Sequence, residues 1–196
     1  MRTLLLILAV LLSGCSVTTP SITHYRIDPN LQITPSQAPM QKYSIKVTPT
    51  FSNSSLSNNA IHYRVAEYKE YTYSQASWVE SPNRAVANRL TQALTESKLF
   101  NGVYGYKSIN KGDLVLEVDL QEFIQSFDEE NKVSSVKAAI GFHLIERKSG
   151  KLIASKTFVK TLQSKTLDAK GGVAGLNIAL GEIMEETVVW LGEKIQ

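Results

Sequence analysis

The chain has 196 residues, 43% of them hydrophobic and 20% charged. That composition suits one globular domain with a sizeable core and excludes a disordered or low-complexity chain. The formal net charge of +3 is too weak, and its basic residues too evenly spread, for a nucleic-acid reader.

Residues 3–12, "TLLLILAVLL", are almost wholly apolar and follow Arg2. Ten residues are too few to span a hydrocarbon core, which needs about 20. A basic start, a short apolar run and small residues after it read as a secretory signal peptide. The next residues, "LSGC" at 12–15, resemble the lipobox of bacterial lipoproteins. Small Ser13 and Gly14 fit a narrow peptidase site, and the Cys15 thiol takes the diacylglycerol before cleavage exposes its amine. Cys15 is the single cysteine, so no disulfide forms within the chain. Several acyl chains anchor stably where one does not. Ser16 is not the aspartate that resembles an inner-membrane retention signal, which favours the periplasmic face of the outer membrane. The expected organisation is a cleaved signal peptide at 1–14, a lipidated cysteine and tether at 15–23, and a periplasmic domain at 24–196.

The elements follow in order. "SVTTPSIT" (16–23) is a polar tether, and "HYRID" (24–28) a short strand. A proline-rich loop leads to "YSIKVTP" (43–49), where Tyr43, Ile45 and Val47 alternate with polar residues as in a half-buried strand. "AIHYRVAEYKEYTYS" (60–74) reads as two strands joined tightly near Ala66–Tyr68. In 81–100 the period changes. Val86, Leu90 and Leu94 recur every four residues behind Ser81 as N-cap and Pro82 in the first turn, which predicts an amphipathic helix. After a turn and a short strand at 101–109, residues 113–123 alternate, with a bulge expected near Gln121–Glu122 to bring Phe123 back into phase. Residues 134–147 and 152–162 form a hairpin about the "KSGK" turn. The last element, 168–195, carries the stripe Val173, Leu176, Leu180, Ile183, Met184, Thr187 and Leu191. Asp168 can cap it. Gly171, Gly172 and Gly175 each weaken the first turns by about 1 kcal/mol relative to Ala, which predicts a ragged start and a firm helix from Val173. The fold class expected is α+β: a mainly antiparallel sheet with two amphipathic helices packed on one face.

No catalytic constellation emerges. His24, His62 and His143 lie on separate elements, none at zinc spacing, and an acylated Cys15 leaves no thiolate for catalysis or metal binding. "KGGVAG" (170–175) lacks the phosphate-loop pattern and reads as close helix–sheet packing or a flexible entry. "FDEEN" (127–131) reads as a solvated hairpin tip. Neither metal nor cofactor is expected. The aromatic stretch supplies the candidate contact residues Tyr68, Tyr71, Tyr73 and Trp78, since aromatics anchor interfaces, although they also fill sheet cores.

The lipobox, "HYRID", "SIKVTP", "IHYR", "WVESPNRAVANRLTQAL", "LVLEVDLQEF", "SGKLIASKTF" and "GLNIALGEIMEETVVWL", taken together and in this order, resemble the ABC-type transport auxiliary lipoproteins, the PqiC-like family. The resemblance covers nearly the whole mature chain. It implies a non-enzymatic, outer-membrane-anchored α+β domain. It also implies partnership with mammalian-cell-entry (MCE) substrate-binding proteins and ABC transporter components, in systems that move lipids between membranes. Homo-oligomerisation is compatible with it. The alternative is a lipoprotein subunit for assembly or secretion of surface structures, with an extracytoplasmic enzyme or sugar-binding module a third reading.

Overall fold

The computed structural model describes residues 20–36, 42–66 and 68–195. Nine strands form one sheet: β1 Thr23–Tyr25, β2 Ser44–Val47, β3 Phe51–Ser52, β4 Ala60–Val65, β5 Lys69–Trp78, β6 Gly102–Tyr104, β7 Leu114–Phe127, β8 Ser134–Glu146 and β9 Lys151–Gln163. Helix α1 (Pro82–Ser97) lies between β5 and β6, and α2 (Ala169–Lys194) follows β9.

The sheet is built around β7. Along one edge β7 pairs with β8 over its full length, and β8 in turn with β9, both antiparallel. Along the other edge run β2, β3 and β4 in succession, all parallel to β7. Beyond β2 lies β6, and beyond β4 lie β5 and then β1. Five of the eight pairings are parallel, so the sheet is mixed and not mainly antiparallel. The reason is the connection through β5, α1 and β6. It carries the chain back to the start of the sheet, so β7 runs the same way as the 44–65 stretch beside it. Hairpins reverse a strand locally, whereas a crossover of this length returns it parallel.

The expected bulge is present: the β7–β8 register slips between Leu120 and Glu122. It keeps Leu116, Val118, Leu120 and Phe123 on one buried face. Both helices pack on that face and touch each other, α1 over β2, β6 and β7, α2 over β7, β8 and β9. Helix α1 opens with Pro82 after Ser81 and buries Val86, Leu90 and Leu94. It closes at Lys98, whose φ of 52° is left-handed and whose N–H donates to the Thr95 carbonyl.

Helix α2 is regular from Ala169, with no ragged first turn. Asp168 accepts from the Gly171 N–H at 2.8 Å and caps it. Gly172 and Gly175 are there because the sheet comes too close for a side chain, and Gly171 because Thr166 of the preceding link does. A Cβ at Gly172 would overlap the Gln125 amide, and one at Gly175 would lie 2.8 Å from a Val136 methyl carbon. Close approach to β7 and β8 outweighs the helix-propensity penalty. Every residue of the predicted α2 stripe is buried.

Candidate functional site

The four candidate contact residues lie on β5 and the turn before it, and the fold separates them. Trp78 is 3% exposed and packs against Phe123 at 5.9 Å between ring centroids, so it is a core residue and not a contact residue. A register irregularity between β4 and β5 accounts for this. Ser77 faces Ala60 while Thr72 faces His62, so extra β5 residues between them shift the phase and turn Ala76 and Trp78 inward.

Tyr73 is half-buried and structural. Its hydroxyl donates to Gln125 Oε1 at 2.9 Å, Gln125 Nε2 donates to Ser134 Oγ at 2.7 Å, and Ser134 Oγ to Ser164 Oγ at 3.2 Å. Gln125 and Ser134 are buried. This chain of polar groups ties β5, β7, β8 and the link to α2 together, and Gly172 leaves room for the Gln125 amide. Burial first, then the neighbouring Tyr63 and the Asp168 carboxylate, push the Tyr73 hydroxyl well above the usual tyrosine range.

Tyr73→Phe should therefore lower stability by about 1–2 kcal/mol, because Gln125 loses its donor. In thermal melts that is roughly a 2–4 °C fall per kcal/mol for a domain of this size. The pH dependence follows from the raised value. Above the ordinary tyrosine range, about pH 10, the unfolded chain has released a proton that the folded one retains, so stability falls as pH rises. The Phe variant should lack that part of the alkaline loss. Equal alkaline loss in both proteins would contradict the buried-hydroxyl account.

Tyr68 and Tyr71 are the members of the set left facing solvent. Tyr68, at the β4–β5 turn, is 88% exposed. Tyr71 stacks on Tyr63 at 5.6 Å, and Tyr63 in turn packs against Tyr73 and, edge-on, Phe127. An aromatic ladder thus runs from the core to an exposed tip. Beside it the β7–β8 tip is shaped by Asp128, which accepts from the N–H groups of Lys132 and Val133, the hairpin turn expected of the acidic stretch. Cys15 and tether residues 16–19 lie outside the described residues.

The remaining chemistry-bearing groups do not converge. His24 pairs with Ser77, His62 with Glu70 and His143 with Ser155, on three different strands. Among the described residues no group of His, Cys, Asp and Glu side chains has the arrangement of a metal site, and no helix is long and apolar enough to cross a membrane. A groove of about 430 Å³ lies between β9, the second half of α2 and residues 32–34. Its floor is Phe158, Val188 and Trp190, and Glu185, Glu193 and Lys156 stand around it. No sequence signal marked it, because its walls come from three distant stretches.

The fold is shared with solved structures of low identity. A Xanthomonas campestris protein of the DUF330 family superposes with a TM-score of 0.76 at 19% identity, covering 88% of this chain and 96% of that one. A hypothetical protein of Chlamydia trachomatis gives 0.51 at 10% identity, over 78% and 96% of the two chains. None of the curated proteins matches. The family model described as the ABC-type transport auxiliary lipoprotein component matches residues 25–188, from β1 to the last turns of α2, and the chain belongs to that family.

Proposed function

We propose that this protein is a non-enzymatic envelope lipoprotein, acylated at Cys15 and held at the periplasmic face of the outer membrane, that docks an ABC/MCE-type system moving lipids between membranes. The family assignment over residues 25–188 carries this reading. The mechanism is positional. A lipid fixes one end of a rigid domain, and the domain presents its surface to the transport components.

Crosslinking in intact cells, followed by identification of the linked proteins, tests this reading. MCE-type and ABC components are the expected products. Recovery of secretion or surface-assembly components in their place would overturn it.

A further inference from the structure

We propose that one end of the domain, made by the tips of the β4–β5 and β7–β8 hairpins and the 164–167 link, rests on the lipid surface that holds the anchor. This builds on the reading of the chain as a lipoprotein acylated at Cys15.

The direction of β1 is the first observation. It pairs parallel to β5, with Thr23 opposite Ala76 and Tyr25 opposite Trp78. Strand β5 runs away from the β4–β5 turn, so the chain before Thr23 leads back toward that turn. The anchor therefore approaches from the aromatic end and not from the opposite one, where β7 begins.

Reach is the second. Cys15 precedes Thr23 by eight residues, and Tyr68 precedes Ala76 by eight. Fully extended, eight residues span about 27 Å. The extra β5 residues at the β4–β5 irregularity make the rise from Tyr68 to Ala76 shorter than that, so the tether can bring Cys15 level with Tyr68. A flexible coil of that length averages only about 16 Å. A tether of that length keeps the aromatic end of the domain close to the surface that takes the lipid.

The third observation is what that end exposes. Tyr68 is 88% exposed, Val133 50%, Leu167 51% and Tyr71 46%. They come from three separate stretches that the fold brings to one end: Ala66 N–H donates to the Phe127 carbonyl, and Ser164 N–H to that of Ser134. Lys69, Lys132, Lys165 and Lys170 are exposed around them. Exposed tyrosines match the headgroup region of a bilayer, where amphipathic rings settle. The acidic groups of these stretches are Glu67, Glu70, Asp128, Glu129, Glu130 and Asp168. Asp128 is engaged in its own turn, Asp168 caps α2 and Glu130 pairs with Lys132. Glu70 pairs with His62, and Glu129 faces solvent.

The test uses tryptophan as a depth reporter, because both native tryptophans are buried. Full-chain lipoprotein carrying Tyr68→Trp, Val133→Trp or Ile109→Trp is purified in detergent and reconstituted into phosphatidylethanolamine–phosphatidylglycerol vesicles containing brominated phospholipid. Ile109 is 99% exposed in the loop before β7, about 45 Å from the tip by the length of that strand. Flotation of the vesicles reports the anchor. The expected result is that all three variants float, that Tyr68→Trp and Val133→Trp lose emission and shift it to the blue, and that Ile109→Trp does neither. Flotation with the tip tryptophans unquenched, or quenched no more than Ile109→Trp, overturns the proposal and leaves the lipoprotein reading standing. It would leave the tip to a protein partner. Failure to float overturns the anchor and the proposal with it.

Discussion

Leu180→Asp is expected to unfold the domain. Leu180 has no exposure and sits mid-way along α2, between the sheet and the rest of the core. Losing the leucine costs about 2–5 kcal/mol from the cavity and the lost burial. An unpaired buried carboxylate adds several more. Together these approach or exceed the typical stability of a domain, about 5–15 kcal/mol. The same packing predicts that residues 24–196 fold without lipid, since both helices and all of the sheet but Thr23, the first residue of β1, lie within them. Circular dichroism melts of that fragment with and without the substitution are the measurement. A fragment with no transition of its own, or a variant with the wild-type one, would show that α2 docking does not hold the fold.

Cys15→Ser is expected to abolish acylation, because in the proposed lipoprotein the Cys15 thiol takes the lipid and the sequence holds no second cysteine. Metabolic labelling with a fatty acid should give signal in the wild type and none in the variant. Each buried methylene contributes about 0.8 kcal/mol to membrane binding, so losing all acyl chains removes the covalent anchor. Label retained by the variant would place acylation elsewhere and reject the lipobox.

The parts of this fold legible in the sequence are those governed by local rules. The β7–β8–β9 meander showed in alternating Leu114, Leu116, Val118 and Leu120 and in the "KSGK" turn, and the helices in their four-residue spacing. Asp168 caps α2 as expected, whereas Ser81 stands at the start of α1 without a side-chain capping bond. The bulge at Gln121 was legible because Phe123 broke the alternation. The parallel pairings were not, because nothing in β2, β3 or β4 encodes that a crossover through α1 will lay them along β7. The start of α2 was misread for a related reason. Glycine looks like a helix breaker until the Gln125 amide and the Val136 methyls are seen occupying the space of a side chain.

The contact residues were legible only in part. Alternation cannot assign Trp78, because the β4–β5 irregularity changes which positions face inward. Tyr73 had no mark to distinguish it from Tyr71. Its fate depends on Gln125, 52 residues away. Tyr68 alone follows from its place in a turn. The sharper functional clue, the direction of β1 relative to the aromatic tip, is a property of strand pairing and is invisible along the chain.

The central claim is that the anchor positions this domain for a transport partner. It is tested most directly by comparing crosslink yield in cells that make the lipidated chain with cells that export residues 16–196, in soluble form, behind an ordinary cleavable signal. At equal abundance, confinement beside the partner raises effective concentration, so the anchored form should crosslink to the transport component far more, by as much as about 10²-fold. Equal yields from both forms would contradict the account.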